Sequence, residues 1–423
     1  MNKSNSIESF LTAKNSLFFL FLIFPISILL GSFVINLNIL IVSLIFLFCL
    51  ILKKIKHIYN DKIFLVLIFF LISLLINLIF SNNINLSFPR VIKFAFIIFF
   101  IFSFRYCLKI LNEDKINKIY QIWSIIFIFV VFDLTFEFFN GTNIIGLESI
   151  MPDVRLGSFT GKESVIGNYF YGFVLISLSY FQNNYPHKKY LNLFLAIFFI
   201  LVAFFIGERS NFIRAAIIII LFILFIHDFK LKNKIYTFLL MSTFLAAFII
   251  NLDNDWNLKQ NYKDRYFDQV SIILQKDGIS KFLNSSRYGA HYNVAKEIFL
   301  DNKIFGVGIK NFRVESGNSR YDNLDHPINE HRVATHPHQL HYEFLSETGI
   351  FGYLSFLIFV FFSLYWSIKN YIINKNIYQF SSILFVLVSL LPLLPSGSFL
   401  STYTSSIFWL NYAIMVGYND LKN

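Results

Sequence analysis

Five of the chain's nine histidines, His326, His331, His336, His338 and His341, fall in one short stretch, a density that raises two kinds of chemistry. Zinc needs three or four ligands converging at about 2.0 to 2.2 Å. The H-x-H-x-x-H order of His336, His338 and His341 straddles Pro337 and a loop-to-helix boundary, so no single helical ligand face is expected. A neutral imidazole, with an ordinary pKa of about 6.5, accepts a proton from a hydroxyl without a metal. A third reading leaves the five as polar loop residues. Two arginines offer complementary chemistry, because a guanidinium stays protonated and matches phosphate oxygens bidentately. Arg209 sits in the hairpin Gly207-Glu208-Arg209-Ser210 between two apolar runs, where a snorkelling or turn-capping role is the competing reading. Arg287 opens a helical stretch further on, where the competing reading is a solvated charge.

The elements that must position these residues are set by composition. Of 423 residues, 56% are hydrophobic and only 14% charged, with 56 Phe and 8 Pro. The mean hydropathy is +0.61. A soluble chain carries roughly 25% charge and cannot expose this much apolar surface, which excludes soluble, disordered and collagen-like classes. A bilayer needs about 20 apolar residues per helix. Twelve such runs have cores at 15–31, 34–52, 63–80, 91–108, 119–139, 164–181, 190–206, 210–227, 234–251, 350–368, 378–394 and 399–417. The polar leader MNKSNSIESFLTAKNS has no small-residue cleavage signature, so the first run is read as a retained helix. Cys49 and Cys107 sit in no CxxC or metal-ligand spacing, which excludes a disulfide scaffold.

Orientation follows from the lysines and arginines of the short loops. With the N-terminus inside, the inner segments hold seventeen lysines, against Arg90, Arg155, Lys162 and Arg209 in the short outer loops. Both termini are therefore expected in the cytoplasm. The formal charge of +11 becomes a topology signal rather than a nucleic-acid footprint.

One connection is not short. Residues 252–349 form an outer segment that keeps Trp256, Tyr262, Tyr266, Phe282 and Tyr288 among nearly balanced charges, and a long loop of that kind folds and carries function. Within it SRYGAHYNVAKEIFLDN (286–302) has helical spacing, with Ser285 or Ser286 as cap, and IFGVGIKNF reads as a tight turn through Gly306 and Gly308. The expected organisation is nine transmembrane helices over 1–251, a large loop carrying the catalytic motif over 252–349, and three more helices with a cytoplasmic tail over 350–423. The nine-plus-three split argues against a transporter built of two similar halves.

The stretch HQLHYEFLSETGIFG resembles the His-(Asn/Ser/Gln)-nine residues-Gly-x-x-Gly signature of the O-antigen ligase family of membrane glycosyltransferases. His338 is followed by Gln339, nine residues run from Leu340 to Thr348, and Gly349 and Gly352 complete it. RLGSFTGKESVIGNY (155–169) is similar to the family's Arg-x-x-Gly-x-Phe segment, GERSNF to its arginine-bearing hairpin, and SSRYGAHYNVAKEIFLDNKIFGVGIKNF to its loop helix and Phe-Gly-x-Gly turn. Tyr353 stands where the signature often has Thr, and Gln339 where Asn is commoner. Both departures point toward the related O-antigen polymerases.

The resemblance implies an all-α integral membrane protein, GT-C-like, of about twelve transmembrane helices with one large periplasmic loop containing short helices. It implies an inverting enzyme of the bacterial inner membrane, independent of metals and of other cofactors. The enzyme moves a glycan from a polyprenyl (undecaprenyl) diphosphate donor to an acceptor hydroxyl such as that of lipid A-core. His338 matches the proposed base, and Arg209 and Arg287 match the positions that grip the diphosphate. Arg155, His336 and Gln339 stand beside them as substrate-binding candidates. The implied partners are the lipid-linked glycan, the glycan acceptor and the bilayer, with no nucleic acid. A polymerase with a second lipid-linked glycan as acceptor is the alternative within the family. A polysaccharide or lipid transporter or flippase is the alternative outside it, although the spans hold few ionisable residues beyond Lys93, Asp133, Glu137 and Arg214.

Overall fold

Apolar runs become helices among the described residues. The computed structural model describes residues 3–52, 58–152, 154–225, 275–322, 324–392 and 394–420, with isolated positions between 230 and 243. Among these the secondary structure is all helical. The helices are α1 (Lys3–Leu22), α2 (Phe24–Leu29), α3 (Ser32–Ile51), α4 (Lys62–Ile79), α5 (Ile84–Ile110), α6 (Glu113–Asn140), α7 (Ile166–Asn184), α8 (Lys189–Phe205) and α9 (Arg209–Phe225). After them come α10 (Gly278–Ser285), α11 (Arg287–Asp301), α12 (Phe312–Glu315), α13 (Leu340–Asn374), α14 (Ile377–Ser389) and α15 (Thr402–Gly417).

Eleven of the twelve apolar runs coincide with these helices, and the run at 234–251 lies, isolated positions apart, outside the described residues. Among the described residues five helices, α3, α4, α5, α6 and α13, are long and apolar enough to cross a membrane. The first run differs from its expected form, because the chain breaks at Ile23 ahead of Pro25, which has no N–H to continue the ladder. Local signals bound some of the other helices. Asp61 Oδ1 accepts Ile63 N (2.8 Å) and Phe64 N (3.1 Å), Asn112 caps α6 ahead of Glu113 and Asp114, and Gly141 ends α6 in the left-handed region.

The interior is aromatic, with Trp123, Trp409, Tyr169 and Tyr412 buried among many phenylalanines. Phe33, Ile51, Ile79, Phe132, Phe139 and Ile373 point outward instead, a patchwork of exposed apolar rings and chains that suits lipid and not water. Residues 275–349 carry a small core of their own, built from Val294, Ala295, Ile298, Val307, Phe312 and Tyr321. Phe344, stacked on Phe356 at 4.1 Å, joins that segment to the main core.

The connections at 80–83, 141–165, 206–208 and 394–401 and the first turn of α5 gather with the long loop at one end of the bundle. Asn82 N donates to Val307 O (3.0 Å), Ser87 Oγ to Ile309 O (2.7 Å) and Leu156 N to Ile206 O (3.1 Å). The opposite end holds the ion pair Arg105–Asp61 (2.7 Å) and the bond between the Tyr120 and Tyr418 hydroxyls (3.1 Å). These are the segments that the basic asymmetry places on one side.

A break in α13 explains two of the glycine motifs as one junction. Gly349 adopts φ +64°, ψ −171°, which only glycine takes without strain. The carbonyls of Ser346 and Glu347 turn instead to Val307 N (3.0 Å) and Gly308 N (2.8 Å), while Ile350 N reaches Lys303 O (2.8 Å). A Cβ on Gly349 would lie 2.3 Å from Ile304 O, and one on Gly306 2.5 Å from the Glu347 carbonyl carbon. The Gly306 turn and the first glycine of the Gly-x-x-Gly frame thus face each other across one backbone contact.

Candidate active site

Where the connections converge they enclose a cavity of about 720 Å³. Its floor and sides are apolar, with Val165, Ile213, Phe385, Phe399 and Phe408 from the bundle and Ile279, Phe282 and Leu283 from α10. Into it point Arg155, Arg209, Arg214, Lys310, Arg313, His336 and His338, with Glu208 as the acidic side chain among the lining residues.

Arg155 and Arg209 are brought together by backbone. The Leu156 N to Ile206 O bond pairs the two segments, and Gly207, at φ +77°, packs so closely that a Cβ would stand 2.2 Å from Val154 O. From below, Glu137 of α6 accepts Gly157 N (2.9 Å) and Ser158 N (2.6 Å), while Asp133 accepts Ile144 N (2.9 Å) and the Ser158 hydroxyl. The two buried carboxylates that stood out in α6 are thus anchors for the loop that carries Arg155. Glu208 is buried and accepts Asn211 Nδ2 (2.7 Å), and Arg214 Nη2 donates to Leu394 O (3.1 Å).

The histidine stretch divides. His336 and His338 lie in the loop before α13, with ring centroids 4.0 Å apart. His338 holds φ +57°, and its carbonyl accepts Ser396 N (2.7 Å). His341, in the first turn of α13, has both ring nitrogens engaged, Nε2 with Leu390 O (2.9 Å) and Nδ1 with the Tyr353 hydroxyl (3.0 Å). It ties α13 to α14, and Tyr353 is its partner. His326 is buried against Leu283 O (3.2 Å), and His331 lies on the surface beside Glu330.

In their place the fold supplies His291, stacked on His338 at 5.1 Å. Sequence reasoning missed it, although it follows Arg287 by one helical turn and so shares its face. Arg287 is exposed at the start of α11, and the Ser286 hydroxyl caps that helix by accepting Gly289 N (3.0 Å). Arg287 does not line the cavity wall, but its charge reaches both His291 and His338. Gln339 is buried, and its carbonyl oxygen caps α13 by accepting Tyr342 N (2.9 Å). Lys310, Arg313, Glu208 and Arg214 were also missed as cavity residues. Lys310 had no signal beyond its place in the turn, and Arg313 none beyond following it.

Electrostatics keep the imidazoles neutral. Burial, then His336, Arg287 and Arg155, push His338 down to about 3. Burial, then Lys310, lower His336 to about 4, and burial, then His338 and Arg287, lower His291 to about 4. Neutral imidazoles beside fixed cations form a site for an anion next to a group that can take a proton. Among the described residues no three His, Cys, Asp or Glu side chains are arranged to hold a metal ion.

Fold and site together define a helical membrane protein with an apolar-walled, arginine- and histidine-rich cavity at one end of its bundle. Residues 193–357 match the family described as O-Antigen ligase, which supports the resemblance carried by the His338–Gly352 frame. That segment, less than half of the chain, runs from α8 into α13 beyond its break and includes Arg209, Arg287 and His338; Arg155 precedes it. No curated protein matches the chain.

Proposed function

We propose that the protein is an O-antigen ligase-type, inverting glycosyltransferase of the bacterial inner membrane that needs no metal. It moves a glycan from a polyprenyl diphosphate to an acceptor hydroxyl such as that of lipid A-core. The observation that carries this reading is the placement of neutral His338 in one cavity with Arg155 and Arg209, with the Arg287 charge within electrostatic reach.

The arginines bind the diphosphate and neutralise charge as the bond between the anomeric carbon and the phosphate oxygen breaks. The acceptor oxygen attacks from the opposite face and loses its proton to the His338 imidazole. The two negative charges of the diphosphate also offset the cations that hold His338 down, so donor binding strengthens the base it will need. The apolar wall of Ile279, Phe282, Phe385 and Phe408 suits a polyprenyl chain that never leaves the membrane. In this reading the cavity end of the bundle faces the periplasm and both termini are cytoplasmic, supported by the basic asymmetry of the loops.

The test is a purified assay with a lipid-linked glycan and candidate acceptors. Arg209→Ala and Arg287→Ala should each impair donor use, and Arg→Lys should not restore it fully, because the planar fork is lost. Full activity in both alanine variants at normal protein level would remove the diphosphate site. Transfer to a second lipid-linked glycan in preference to lipid A-core would assign the polymerase reaction, which Gln339 and Tyr353 favour.

A further inference from the structure

The cations at this end of the bundle fall into two sets. Arg287 and Arg155 act on His338. Lys310 and Arg313 act on His336 instead, and both line the cavity. Behind them stand Arg90 and Lys93 of α5, which interact electrostatically with Arg313 and Lys310.

The second set has more charge than its surroundings balance. Lys310 is 4% exposed and adopts φ +65°; its N–H donates to Glu347 (2.8 Å), and its ammonium group donates to the Ser398 hydroxyl, which in turn bonds Glu343. Two carboxylates, Glu343 and Glu347, therefore face four cations. Nζ of Lys93 is buried without a hydrogen-bond partner, and so is the Ser396 hydroxyl in the cavity wall. Lys310, paired with Glu343 at 3.9 Å, and the Lys93 ammonium place charge in the interior, which is costly unless anions offset it, while Arg313 is exposed at the cavity and Arg90 half-buried behind it. The donor diphosphate cannot serve both sets. A diphosphate diester carries two negative charges, which Arg155, Arg209 and Arg287 already exceed.

We propose that Lys310 and Arg313, backed by Arg90 and Lys93, form a second anion subsite that binds a phosphate group on the acceptor glycolipid. This deepens the glycosyltransferase reading and rests on it. The His336 ring, 4.0 Å from that of His338, links the two subsites, so a phosphate held by the second set brings its own glycolipid to the base. Two acceptors share this chemistry: a phosphorylated lipid A-core, and a second polyprenyl-diphosphate-linked glycan.

The test uses the full chain in detergent and farnesyl diphosphate as the binding probe. Wild-type protein should bind two equivalents. Arg313→Ala, at an exposed position that does not threaten the fold, should weaken one site about tenfold or more, and more so with Arg90→Ala; Arg209→Ala should weaken only the other. A single site, or a second site indifferent to Arg313→Ala, overturns the proposal. If Arg313→Ala removes one site while Arg209→Ala changes nothing, the donor site fails and the second subsite stands. In transfer assays Arg313→Ala should raise the acceptor KM and leave the donor KM unchanged. Wild-type preference between phosphorylated lipid A-core and the second lipid-linked glycan identifies the source of the phosphate. An equal rise in KM for phosphatase-treated acceptor would overturn the assignment.

Discussion

Glu137→Gln tests whether α6 positions the arginine loop. The carboxylate is 2% exposed and receives two consecutive N–H groups, from Gly157 at 2.9 Å and Ser158 at 2.6 Å. Glutamine keeps the shape but has one acceptor, so its NH₂ must face one of those N–H groups. One buried donor then goes unpaired, at about 1–3 kcal/mol, and the other bond drops from charged to neutral, at about 1 kcal/mol. The total, about 2–4 kcal/mol, falls on a loop that is also held by Leu156 N to Ile206 O and by Asp133. Those contacts absorb part of it. A loop that is competent only part of the time lowers apparent affinity by that fraction, so the donor KM should rise about tenfold or more while kcat changes less. The assay is steady-state kinetics of the purified protein, run as a double-mutant cycle with Arg155→Ala. If Glu137 acts through Arg155, the double variant is no worse than Arg155→Ala alone. Additive losses, or an unchanged donor KM in Glu137→Gln, would refute the clamp.

His338→Ala should lose about 10² to 10⁴-fold in turnover while still binding donor, whereas His341→Ala, which breaks only a tie between helices, should show up mainly as reduced thermal stability. Because His291, His336 and His338 are all held below their ordinary value, the unfolded chain takes up protons that the folded chain refuses. Thermal stability in detergent should therefore be flat above about pH 7 and fall as pH drops from about 6.5 toward 4, and substituting the three histidines should flatten that slope. The acid limb of kcat/KM, which reports the free enzyme, should lie below that of kcat, since the bound diphosphate raises the His338 pKa; coincident limbs near pH 6.5 would contradict the electrostatic account. Gly349→Ala should cost about 2–4 kcal/mol, from its backbone conformation and the clash with Ile304 O, measured as a lowered midpoint with the loop 303–308 more open to proteolysis.

The sequence by itself determined what depends on neighbours along the chain. Apolar runs specified the helices, Ser285 or Ser286 marked where α11 starts, and the His338–Gln339 frame placed the candidate base just ahead of α13. These are signals of period and capping, carried within a few residues. Pairings across long separations had no such signal. Only the tertiary structure set Gly306 against Gly349, hung the Arg155 loop on Glu137 and Gly207, and added Lys310 to the cavity wall. It also withdrew His326, His331 and His341 from a cluster that looked continuous in the chain and put His291 beside His338 instead. The reason is physical: a ring can join a site only if its backbone points there, and that direction is decided by how α10, α11 and the break in α13 pack against the bundle.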